Sequence, residues 1–78
     1  MNVRTGHRYV FHAAGLDRYS PAHRGIKDGA IVTVVRLPGC PPPNTMGHAH
    51  VNGADGRFMG LVQTASLTPL THPDQEKK

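Results

Sequence analysis

The chain has 78 residues, of which 37% are hydrophobic, with two Tyr, two Phe and no Trp. That is room for one domain around a small aliphatic core, and it excludes a large two-domain enzyme. Nine Gly and seven Pro argue for many turns and against a helical bundle or coiled coil, and the formal charge of +4 favours anionic partners.

Residues 1–6 are polar and are expected to form a flexible N-terminal segment without the apolar stretch of a signal peptide. Residues 7–70 form the expected domain. Its first element is a strand at Arg8–Ala14, where Tyr9, Phe11 and Ala13 share one face. Residues 15–29 then hold Gly15, Ser20-Pro21, Gly25 and Asp28-Gly29, with no sustained periodicity. This reads as a long loop with one helical turn near Pro21–Arg24, capped by Ser20.

Ile31-Val32-Thr33-Val34-Val35 is β-branched throughout, which favours sheet over helix. Both of its faces are apolar, so it is expected at the centre of a sheet. Leu37-Pro38-Gly39 ends it. Cys40-Pro41-Pro42-Pro43-Asn44 is expected to be a stiff, extended loop, because proline fixes φ and lacks an N–H.

Thr45–Val51 and Arg57–Thr64 read as the arms of a hairpin. Asn52-Gly53 and Asp55-Gly56 between them both tolerate positive φ. Ala49 and Val51 are expected inside, and so is Phe58. A 3₁₀ turn at Thr64–Ser66 and a last strand at Leu67–Leu70 follow, with Pro69 limiting that strand to an edge. Residues 71–78 are expected to be a disordered polar tail.

A strand, a long loop, a β-branched strand, a stiff loop, a tight hairpin, a single turn and a short last strand follow one another in this order. The order resembles that of SH3-like barrels. Gly56–Val62 followed by Thr64-Ala65-Ser66-Leu67 is similar to the fourth strand, 3₁₀ turn and fifth strand of those domains. The resemblance implies an all-β fold, a small SH3-like barrel of about five strands with one short 3₁₀ turn. The aromatic Ala-Leu-Tyr-Asp-Tyr-type segment and groove Trp of peptide-binding SH3 domains are missing, so PxxP recognition is not implied. Lys27-Asp28-Gly29 with the Val-rich strand resembles KOW-type modules, but the basic loop expected next is replaced by Cys40–Pro43. Val62-Gln63 resembles the start of the Val-Gln-Ile-Tyr segment of plasmid-type trimethoprim-resistant reductases. Here Thr64-Ala65 follows, so their substrate contacts do not carry over.

Two sets of residues can carry function. The first is a partner surface of Arg18, Tyr19, His23 and Arg24 in the long loop, with Arg36, Pro42 and Arg57. Binding residues tend to lie on such loops. The competing reading is a plain loop tethered by Tyr19 packing. The second is a zinc site of Cys40, His48 and His50, since thiolate and imidazole are preferred zinc ligands. His48 and His50 are two apart and would share a strand face. The plainer alternative is that this face is simply solvated.

Body acids are limited to Asp17, Asp28 and Asp55, which gives no paired-carboxylate or Ser/His/acid arrangement. Cys40 has no helix N-terminus to activate its thiol. The expected function is therefore a non-enzymatic binding or adaptor module without a cofactor, contacting an acidic protein surface or nucleic-acid phosphates. The alternative is a metal- or small-molecule-binding protein using Cys40, His48 and His50. A single Cys points to the cytoplasm, and no apolar run is long enough to span a bilayer. A barrel this small can also gain burial by forming a homo-oligomer.

Overall fold

A computed structural model describes residues 3–70. The tail expected at residues 71–78 lies outside the described residues. The fold is all-β. Six strands form one antiparallel sheet in the order β2-β5-β4-β3-β1-β6. They are β1 (Arg8–Phe11), β2 (Ala22–His23), β3 (Ile31–Val35), β4 (His48–Gly53), β5 (Phe58–Gln63) and β6 (Leu67–Pro69). Helical structure among the described residues is limited to 3₁₀ turns at Gly15–Arg18, Thr45–Gly47 and Thr64–Ser66. The architecture is thus the small all-β one expected, with one more strand and two more turns.

Side-chain alternation selects the core. Tyr9 and Phe11, Val32 and Val34, Ala49 and Val51, Val62 and Leu67 are all buried. The first three pairs lie at i and i+2 on their strands, and Val62 and Leu67 belong to β5 and β6, so one face of the sheet supplies the interior. No second layer covers that face, so the sheet encloses its own core by curling. The curl brings Phe11 of β1 against His23 of β2, with ring centroids 5.0 Å apart.

β3 is central, between β4 and β1, as its two apolar faces predict. The hairpin turn uses the Asp55-Gly56 pair. Gly53 N–H donates to Arg57 C=O at 2.8 Å and Gly56 N–H to Gly53 C=O at 3.0 Å. Gly56 takes φ 85, the left-handed position of a three-residue hairpin loop. Asn52 stays in the strand.

Four expectations are corrected. Pro21–Arg24 is not a helical turn: Ala22 and His23 form β2, opposite Leu61 and Gly60 of β5. The turn falls earlier, at Gly15–Arg18, because Asp17 is drawn inward there. Phe58 is not core. The pairing of β4 with β5 shifts register between Val51 and Asn52, and such a shift turns a side chain to the other face. Phe58 is 37% exposed as a result.

The N-terminal segment is not loose over its described part. Val3 is buried, and its backbone N–H donates to Asn44 Oδ1 at 2.7 Å while its C=O accepts from Asn44 Nδ2 at 2.9 Å. The proline loop does not run straight. It closes in a turn in which Thr45 N–H and Oγ1 both donate to Pro42 C=O. Pro43 and left-handed Asn44 (φ 74, ψ −3) occupy its centre, as a type II turn requires.

The sheet edges are short. β2 has two residues, and β6 has three and ends in Pro69.

Candidate functional site

The long loop is held to the barrel by Asp17. Its Oδ2 accepts from Gln63 N–H at 2.8 Å and from Ser66 Oγ at 2.6 Å. Ser66 Oγ in turn accepts from Ala14 N–H at 2.9 Å. A buried carboxylate oxygen is stable only when it accepts hydrogen bonds in this way. The network places the Gly15–Arg18 turn beside the end of β5.

Gln63 then links that turn to β4. A Cβ at Gly15 would lie 3.3 Å from Gln63 Oε1. The other end of the same amide, Nε2, is 2.7 Å from His48 Nε2. The two nitrogens are within hydrogen-bond distance, with the amide N–H₂ as the donor. Long loop, Gln63 and β4 are therefore contiguous.

Beyond His48 lies a cleft of about 220 Å³ beneath the proline loop. It is lined by Pro41, Pro42, Thr45, Met46, His48, His50 and Leu61. His50 and Leu61 are cross-strand partners, as are His48 and Gln63. His50 also lies against Phe58, with ring centroids 5.9 Å apart and a 32° tilt. The cleft is walled by Pro41, Pro42, Met46 and Leu61, with Thr45, His48 and His50 as its polar residues. Among the described residues, no carboxylate lines it.

Large apolar side chains stand out around this region. Met46 is 89% exposed, Tyr19 82% and Leu16 58%. Tyr19 therefore does not tether the loop by packing. Met46 has φ 53 and ψ 28, a left-handed conformation that side chains with a Cβ rarely adopt.

The expected partner residues are distributed as follows. Arg18, Tyr19, Arg24, Arg36, Pro42 and Arg57 are all exposed. Arg18 ends the turn beside Gln63, and Arg36 follows Val35, which faces His50 across β3 and β4. Arg57 forms a solvent-exposed ion pair with Asp55 at 3.6 Å on the hairpin turn. His23 is a structural residue instead. Its Nδ1 accepts from Ile26 N–H at 3.1 Å, and its ring packs on Phe11.

The zinc site is not assembled. His48 and His50 do share a face, but no group of three His, Cys, Asp or Glu among the described residues is placed to hold a metal ion. Cys40 is a free, half-buried thiol. It follows the Leu37–Cys40 turn and is not part of the cleft wall.

Sequence reasoning missed Leu61, Gln63 and Met46. Met46-Gly47 after Asn44 was the available signal, since Asn and Gly bracket a segment that turns left-handed.

A larger hollow of about 490 Å³ lies between residues 25–32 and the hairpin tip, with Ile26, Ala30, Ile31 and Met59 in its wall. Its size suits a small ligand. Its charged lining groups are Lys27 and Asp55, and Asp55 is already engaged with Arg57. Few polar groups converge there to orient a ligand.

No protein-family model, curated protein or solved structure matches the chain. Among the described residues, no helix is long and apolar enough to cross a membrane.

Proposed function

We propose that the protein is a non-enzymatic binding module for an acidic polypeptide, contacted through the long loop and the proline loop. The observation that carries this reading is how the charges are used. All three body acids hold the fold: Asp17 binds Gln63 and Ser66, Asp28 Oδ1 accepts from Ala13 N–H at 2.9 Å, and Asp55 holds Arg57. Arg57 is in the single ion pair among the described residues. Arg4, Arg8, Arg18, Arg24, Lys27 and Arg36 are exposed and form no ion pair with a described carboxylate. A surface of this kind attracts acidic partners and speeds their encounter.

A polypeptide is favoured over nucleic acid because the exposed groups near the cleft include Met46, Leu16 and Pro42, with Leu61 half-buried in its wall. Bases stack on aromatic side chains, and Tyr19 is the one strongly exposed aromatic residue. The lone free thiol suits a reducing compartment, which supports reading the module as cytoplasmic. Self-association is disfavoured by the like charge of two copies.

The test is a peptide-display selection against the immobilised full chain. Selected peptides should be enriched in Asp and Glu and should be lost when Arg18→Glu and Arg36→Glu are combined. Enrichment in basic peptides would overturn the reading. So would tighter, steeply salt-dependent binding of a single-stranded oligonucleotide, the signature of phosphate neutralisation.

A further inference from the structure

The cleft beneath the proline loop has the dimensions and lining of a seat for one side chain, and we infer that it takes a single large apolar residue, Leu or Met, from within the acidic partner segment. This deepens the reading above and rests on it. About 220 Å³ is below the ~300–1,000 Å³ typical of small-molecule and cofactor pockets. Pro41, Pro42, Met46 and Leu61 offer an apolar surround, and the His48 and His50 edges offer polar contacts to the incoming backbone.

Met46 is the second observation. Its side chain is almost wholly in solvent while its backbone is left-handed. Side-chain burial does not repay that conformation, because the thioether contributes little to the core. The loop is nevertheless held firmly: Asn44 is bonded twice to Val3, and Asn44 N–H donates to His48 C=O at 2.8 Å. A loop backbone held in this way presents Met46 beside the cleft at a reduced ordering cost for binding, although the thioether chain itself is free to adapt to the partner.

Charge selects the occupant. No described carboxylate lines the cleft; Arg36 follows Val35, the cross-strand partner of His50, and Arg18 ends the turn beside Gln63, and neither forms an ion pair among the described residues. An apolar anchor flanked by Asp or Glu satisfies both features. A second copy of this chain would bring net positive charge to a positive surface.

The display selection described above also supplies the probes here. Selected acidic peptides should carry one fixed Leu or Met, and replacing it by Ala should weaken binding about tenfold, as for a hot-spot anchor. Met46→Gly should weaken the same peptides about tenfold while the chain's melting midpoint does not fall. Amide shifts in the ¹⁵N-labelled chain should cluster at Met46, His48, His50 and Leu61. The inference is overturned if acidic peptides bind without an apolar anchor, or if Met46→Gly binds them within twofold and the shifts lie elsewhere. In that event a loss of affinity in Arg18→Glu/Arg36→Glu would still uphold the acidic-partner reading. If no acidic peptide is selected at all, that reading itself has failed, and the inference with it. A dimer seen by native mass spectrometry, with its shifts at these four residues, would assign the cleft to a second copy and likewise overturn it.

Discussion

Phe11 and His23 meet edge to face, their ring planes at 77°. One residue is on β1 and the other on β2, with β5, β4 and β3 between them in the sheet. Only a curled sheet allows that contact, so the pair reports closure. The Ile26 N–H donates to His23 Nδ1, which leaves the ring proton on Nε2. That atom is buried with no hydrogen-bond partner, and the neighbouring aromatic ring is the kind of surface that accepts a weak N–H contact.

His23→Ala removes the acceptor for Ile26 and the face against Phe11. The expected loss is about 1–3 kcal/mol, the range for a stranded donor. His23→Asn should recover part of it, since a carboxamide oxygen can accept the same N–H. Urea denaturation of the three chains decides the matter, and an unchanged midpoint in His23→Ala would show that closure does not depend on this seam.

Asp17→Ala strands the Gln63 N–H and the Ser66 hydroxyl together. We expect a loss of about 1–3 kcal/mol, with Asp17→Ala costing more than Ser66→Ala. Hydrogen exchange at the Gln63 amide should accelerate in the Asp17 variant. Protection equal to wild type would mean that the long loop is anchored elsewhere.

Gly60 is where β2 comes closest to β5. A Cβ there would lie 2.8 Å from Ala22 C=O and 2.9 Å from His23 Cα, and the backbone has φ 109. Gly60→Ala should therefore cost about 1–3 kcal/mol from conformation alone and should push β2 off the sheet. The Arg24 amide, which donates to Met59 C=O at 2.8 Å, is the probe: its exchange should rise well before that of β3.

Met46→Gly should not lower stability, and relief of the left-handed conformation should raise it by about 1 kcal/mol. The same substitution is expected to weaken partner binding. A rise in melting midpoint with a fall in affinity is the signature of strain retained for function. A fall in both would place Met46 in the fold instead.

Chelator should leave the melting midpoint unchanged, and added zinc should not raise it. A structural metal contributes its binding energy to folding, so a drop with chelator would revive the Cys40, His48 and His50 site.

Much of the barrel was legible because its signals are local. β-branching marked β3, Asp55-Gly56 marked the hairpin, and Pro69 marked an edge strand. The 3₁₀ turn at Thr64–Ser66 was read in place. What escaped depends on residues far apart in the chain. β2 exists because Gly60 lacks a side chain, and the Gly15–Arg18 turn because Asp17 reaches residues 46 and 49 positions away. No window of sequence contains those pairs. Phe58 was misplaced by a register shift that alternation alone cannot show. The candidate site was half visible: His48, His50, Arg36 and Pro42 stood out by chemistry. Gln63 and Leu61 became relevant only through their cross-strand partners.

The shortness of β2 and β6 governs how a partner can be recognised. An incoming strand needs a run of free backbone donors and acceptors. Here one rim ends after two residues and the other in an imino acid that has no proton to give. Recognition is thereby confined to side chains, so selectivity should track the partner's residue identities and not a generic extended shape. The same blunting should keep concentrated solutions of the barrel from zipping together rim to rim.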